Sequence, residues 1–192
     1  THKHTAQLTL HVTWSNTTPF PLDHLAFNFY PHYRVPQGDY IHLAKTLEML
    51  RLQPSLGIDR CGRFGVVQSV RLLQQGKDVY DQPLSFRFDA DNVTALRVFL
   101  PRPLAPGESV TVVLHCSYYL PNKQGRLGHW KGVAYLTNAL PLLAYCDSDG
   151  WKPMPFVPWH QPWFNEAGIF HATITLPEEE VLAVPASVLR DE

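Results

Sequence analysis

The chain has 192 residues, of which 45% are hydrophobic, 17% are charged and 17 are prolines, with a formal net charge of −1. That is enough chain to bury a core without staples, and it reads as a single domain over 1–192. The near-zero charge leaves no basic footprint for nucleic acid, no apolar run reaches membrane-spanning length, and no signal peptide is visible.

Few charges and many prolines favour short strands and turns over long helices. Gln7–Trp14 alternates cleanly, with Leu8, Leu10, Val12 and Trp14 against Gln7, Thr9, His11 and Thr13. Period two is the signature of a half-buried strand. Ser15–Phe20 is turn-rich. Leu22–Tyr30 then alternates again, with Leu25, Phe27 and Phe29 against His24, Ala26 and Asn28. The two runs are expected to lie side by side as antiparallel strands. After a break at Pro31–Gly38, Tyr40–Gln53 carries Leu43, Leu47 and Leu50 on one helical stripe. Asp39 is placed to cap that helix and Pro54 to stop it.

Phe64–Leu73, Lys77–Tyr80, Leu84–Phe88 and Ala95–Leu100 are predicted strands, with a tight turn at Gln75-Gly76-Lys77. Pro101–Glu108 is expected to be a proline-stiffened loop. It leads into the longest strand, Ser109–Tyr119, with Val110, Val112, Leu114, Cys116 and Tyr118 on one face. Gly168–Leu176 and Val181–Val184 are predicted as a final strand pair around a turn at Pro177–Glu180. The expectation is an all-β fold: an antiparallel β-sandwich or open barrel with one short helix insertion at about 40–53.

Between the last strands, Arg126–Trp151 is dense in punctuation (Gly128, Gly132, Pro141, Gly150) and in large anchors (Trp130, Tyr135, Tyr145, Trp151). Glycine permits turns that other residues resist, and the aromatics supply buried area. A loop folded over a core is the plain reading. The chemical one is an aromatic platform of Trp130, Trp151, Trp159 and Trp163, with the Trp159-His160-Gln161-Pro162-Trp163 segment stacking on a sugar or an extended peptide.

Motifs that carry catalysis are not found: there is no HExxH, GxSxG or P-loop. His2, His4, His11 and His24 have no carboxylate or cysteine at ligand spacing, so solvent-facing histidines are expected and no metal site. Asp147 and Asp149 around Ser148 read as a turn before Gly150, since a calcium loop needs more oxygens in fixed order. Glu178–Glu180 reads as a solvated turn. Cys61, Cys116 and Cys146 are an odd, scattered count. One bridge is open to them, but buried free thiols are the expectation. Asn16-Thr17-Thr18 and Asn92-Val93-Thr94 fit the glycosylation acceptor pattern. A start at Thr1 instead of Met leads us to expect a mature product or a piece of a longer protein.

Several stretches resemble one family in order: PRPLAPGESVTVVLHCSYYLP, then RLG, then NALPLLAYCDSDGW, then GIFHATITLPEEEVLAVPAS. They are similar to the N-terminal domain of family M1 zinc aminopeptidases, and the run Phe27-Asn28-Phe29-Tyr30-Pro31 resembles bacterial members. The resemblance covers about Gln7 to Ser187. It implies a saddle-shaped, mostly antiparallel β domain that precedes a catalytic domain carrying HExxH and zinc. The chain itself would then be no enzyme and hold no cofactor. Its partner would be its own C-terminal catalytic domain, with a peptide substrate contacted indirectly. Some similar proteins are membrane-anchored. In many members a loop of this domain supplies a Gln near the peptide's amino terminus. The matching stretch, Leu136-Thr137-Asn138-Ala139, has none, and Asn138 is the nearest substrate-binding candidate. Two other readings stand beside this one: a stand-alone carbohydrate or peptide-binding module, and a protein–protein scaffold.

Overall fold

The computed structural model describes residues 4–58, 64–73, 80–123, 127–155, 157, 164–184 and 187. Their fold is mostly antiparallel β with one short helical insertion. Strands β1 (Thr5–Ser15), β2 (Leu22–Asn28), β3 (Gly65–Leu73), β4 (Tyr80–Pro83), β5 (Phe86–Phe88), β6 (Ala95–Leu104) and β7 (Ser109–Tyr119) supply most of two sheets. One sheet has the order β1-β7-β3-β4. The other has the order β10-β2-β6-β5, where β10 is Leu142–Leu143. The ribbon of β8 (Leu127–Trp130) and β9 (Val133–Leu136) and the ribbon of β11 (Tyr145–Asp147) and β12 (Gly150–Lys152) complete the set.

The core lies between the two large sheets. Leu25, Phe27 and Phe29 around β2, Leu96 and Val98 from β6, and Val112, Leu114 and Cys116 from β7 are all fully buried. Each such side chain contributes up to about 1.5–3 kcal/mol by leaving water. β7 is central to the first sheet, paired with β1 over its whole length and with β3 on the other side. The alternation of Ser109–Tyr119 is therefore realised as an inward apolar row.

β1 and β2 are not neighbours, contrary to their expected pairing: each joins a different sheet. The chain between them crosses the sandwich at Asn16, which is 1% exposed. Its Nδ2 donates to the carbonyls of Phe20 and Leu104, while its Oδ1 accepts from the N–H and hydroxyl of Thr18. Thr94 donates to the Asn92 Oδ1 from the same two groups, so both glycosylation-like triplets build the same local turn. A buried amide with every bond made presents no acceptor nitrogen at Asn16.

Ala26 and Asn28, expected on the solvent face of β2, are fully buried. The Asn28 side chain accepts from the Met154 N–H and donates to Asn165, so the later chain is laid over that face. β6 runs on through Pro101 and Pro103 to Leu104, where a loop was expected. Its pairing with β2 shifts register between Leu22 and His24, and prolines are tolerated at such irregularities because no ladder bond is lost there.

The helix ends early. α1 is Tyr40–Met49, and Pro54 opens a second short helix, α2 (Pro54–Gly57), instead of stopping the first. Arg51 takes φ 57, the Leu52 N–H bonds Leu47 O at 2.8 Å and the Arg51 N–H bonds Glu48 O at 2.9 Å. That is a left-handed Schellman close, with Leu52 set to meet Leu47. Leu43 is buried, but Leu50 falls past the turn and is 62% exposed. Asp39 precedes the helix without a side-chain capping bond.

The predicted strands at Gly168–Leu176 and Val181–Val184 do not form: residues 167–184 are exposed and, among the described residues, unpaired, with only the Pro177–Glu180 turn as expected. Alternation supplies a face to bury, but a strand also needs a neighbour for its backbone.

Candidate functional site

The stretch from Leu127 to Trp151 is not one loop but two ribbons and the turn between them. In the first ribbon Lys131 (φ 49) and Gly132 (φ 80) form the two-residue link between Trp130 and Val133. Two successive positive φ values mark a type I′ hairpin turn, which matches strand twist. Gly128 has φ 147, and a Cβ there would stand 2.7 Å from Pro121 O. Only glycine fits that approach. His129 stacks on His4 with ring centroids 3.7 Å apart. Its partial burial, then the neighbouring His4, hold the His129 imidazole below its ordinary pKa.

Asn138 sits in the turn after this ribbon. Its φ is 62, and the Ala139 N–H bonds Leu136 O at 3.2 Å across it. Asparagine is among the residues that tolerate this conformation. The turn is tied to the core because the Tyr118 hydroxyl donates to Ala139 O at 2.7 Å. Burial pushes the Tyr118 phenol far above its ordinary pKa, so it stays a donor. Asn138 itself is half-exposed, between the exposed Leu136 and Leu140.

In the second ribbon Asp147 Oδ1 accepts from the Asp149 N–H at 2.8 Å, and Lys152 Nζ lies 3.6 Å from both carboxylates. This is a self-contained turn with its own cation. Trp151 is in the core, its ring tilted against that of Trp14 with centroids 4.9 Å apart, and its indole N–H donates to His24 O at 2.8 Å. It thereby joins β12 to both large sheets and cannot serve an exposed aromatic platform. Trp130 is half-buried at the tip of its ribbon, with Lys131 beside the ring. Trp159 and Trp163, with His160, lie outside the described residues, as do His2 and Cys61.

Cys116 and Cys146 are buried free thiols. Burial pushes each up to about 11, so neither is a nucleophile at neutral pH. Among the described residues no group of three or more His, Cys, Asp or Glu side chains could hold a metal ion. No described helix is long and apolar enough to cross a membrane.

Two features escaped sequence reasoning. One is a chain of contacts that runs from β2 through β6 to the residue after β5. Asp89 takes a bidentate pair of bonds from Arg97, Arg97 Nη1 lies 2.7 Å from His24 Nε2, and His24 Nδ1 lies 2.6 Å from Asp23 Oδ1. A guanidinium only donates, so Nε2 accepts and the Nδ1 proton goes to Asp23. The hydrogen bond from His24, outweighing partial burial, holds the Asp23 carboxyl below its usual range. The residues are 8 and 73 apart in sequence from Arg97, and no local pattern joins them. The other is a cleft of about 380 Å³ with Leu72, Leu100 and Val110 on its wall and the Arg102–Glu108 ion pair at its rim.

Among the described residues the fold defines a class, a mostly antiparallel β protein, and one of its surface turns, tied to the core through Tyr118, carries Asn138. The sequence matches no family model and no curated protein.

Proposed function

We propose that the chain is the non-catalytic N-terminal β domain of an M1-like zinc metallo-aminopeptidase. It walls the substrate cleft and supports a catalytic domain that supplies the zinc. The observation that carries this reading is the order of the resembling stretches, from Gln7 to Ser187, on an antiparallel body. The role is positioning: holding a peptide in place raises rate without any reactive group in the positioning domain. Asn138 is the residue assigned to the substrate. Its amide oxygen would accept a charge-assisted bond from the peptide ammonium.

The test uses the longer protein that contains this sequence. Zinc-dependent hydrolysis of aminoacyl amides by that protein, with HExxH in the sequence that follows, is the expected result; a parent without either overturns the proposal. Within an active parent, Asn138→Ala and Asn138→Gly should both raise KM for peptides with a free amino end. Glycine keeps the positive φ. A rise with alanine alone would assign the effect to the turn, and unchanged KM in both would remove Asn138 from the site.

A further inference from the structure

Two parts of the molecule are unsatisfied in complementary ways. β1 is an edge strand of 11 residues whose pairing with β7 has no register shift, and among the described residues it has no partner strand on its other side. It carries no Lys, Arg, Asp, Glu, Pro or Gly. Long, flat, uncharged edges are what soluble proteins normally guard against, because the open backbone accepts another strand. Its inward row, Ala6, Leu8, Leu10 and Val12, is only half-buried, whereas Val112, Leu114 and Cys116 on neighbouring β7 are fully buried. One strand more on this side would finish the sheet.

Ile169–Leu176 has the matching composition. Phe170, Ala172, Ile174 and Leu176 alternate with Ile169, His171, Thr173 and Thr175, and all are exposed. Laid on β1, the first row continues Ala6, Leu8, Leu10 and Val12. The second row continues Gln7, Thr9, His11 and Thr13. Cross-strand pairs of threonines and of apolar side chains each add to sheet stability. Like β1, the segment carries no Lys, Arg, Asp or Glu.

The direction of the chain says which copy is served. β10 is antiparallel to β2, and Asn165 bridges antiparallel to Ala144, so the segment leaves parallel to β2 and passes the Asn28 end. Phe29 there lies against Tyr118, whose strand partner is Ala6. The exit is therefore level with the start of β1, and among the described residues no backbone bond joins the segment to β1 of its own copy.

We infer that Ile169–Leu176 pairs with the free edge of β1 in a second copy of this chain, reciprocally, as a two-fold exchange dimer. Reciprocity satisfies both edges and both segments at once, as closed two-fold symmetry requires.

Sedimentation equilibrium and hydrogen exchange on the full 192-residue chain test this. A dimer is expected, with slow exchange at Ile169–Leu176 and at those β1 amides that face away from β7. Thr173→Pro removes a backbone donor, and Phe170→Lys with Ile174→Lys places charge on the buried row. Both sites are exposed in the single chain, so its thermal midpoint should not fall. Each variant should weaken association by about a hundredfold or more, with exchange restored in both places. A monomeric wild-type chain, a dimer that survives Thr173→Pro, or a dimer whose β1 amides exchange freely would each overturn the inference.

Discussion

Ser109–Tyr119 and Gly168–Leu176 carry the same kind of pattern and meet opposite fates. Both alternate apolar with polar residues, and both are rich in β-branched side chains. The first is the central strand of a sheet, with Val112, Val113 and Leu114 fully buried. The second is bare, with Ile169 90% exposed. The comparison teaches that alternation sets which face a segment can bury, while the backbone ladder on either side decides whether it does. β7 has β1 and β3; among the described residues the later segment has no neighbour on either side.

The sharpest contrast should come from side-chain deletion in the two regions. Trp151→Ala removes the ring that joins β12 to Trp14 and leaves its cavity in the core. Chemical denaturation should show a loss of about 3–5 kcal/mol. Deleting Asn16 is the next largest test, because it strands the carbonyls of Phe20 and Leu104 and the Thr18 donors where the chain crosses between sheets. Asn16→Ala should cost about 2–3 kcal/mol, the range for unmet buried polar groups. A cost under about 0.5 kcal/mol would mean that this crossing is solvated.

Alkaline pH separates the regions without mutation. Burial pushes the Cys116 and Cys146 thiols up from their ordinary value to about 11 in the folded chain. A raised folded value gives stability that is complete below the unfolded value and lost as pH climbs through the folded one. Denaturation midpoints should therefore fall between about pH 9 and 11. Replacing both cysteines with alanine should make that fall shallower, leaving the share that the buried Tyr118 phenol contributes. At the small end, Ile174→Ala in the monomeric Thr173→Pro background should change stability by less than about 0.5 kcal/mol, since nothing covers that side chain within one copy.

Much of the body was legible in the residues. The alternations at Gln7–Trp14, Phe64–Leu73 and Ser109–Tyr119 became β1, β3 and β7 almost as drawn. The helix at Tyr40 was legible in its start but not in its end, because a left-handed Arg51 is not a residue that sequence patterns flag as a stop. The proline run at 101–106 looked like a loop because local rules assign proline to breaks; the register shift against β2 that accommodates strand there is a property of two segments. Of the candidate site residues, Asn138 stands in a turn at positive φ, a conformation that asparagine tolerates. Trp151 was assigned both to a core and to a platform by the same local pattern, and only its contact with Trp14 from β1 chooses between them.

By itself the sequence determined which faces are apolar, where most turns fall and that the chain builds sheets more than helices. These follow from side-chain period and from the backbone limits of glycine and proline, which act within a few residues. Tertiary structure alone decided that β1 and β2 part into different sheets, that Asn28 lies under Met154 and Asn165, and that the alternating segment after Asn165 stays bare. The reason is that a strand's neighbour is chosen across the chain, by which backbone edges and apolar rows can be satisfied together.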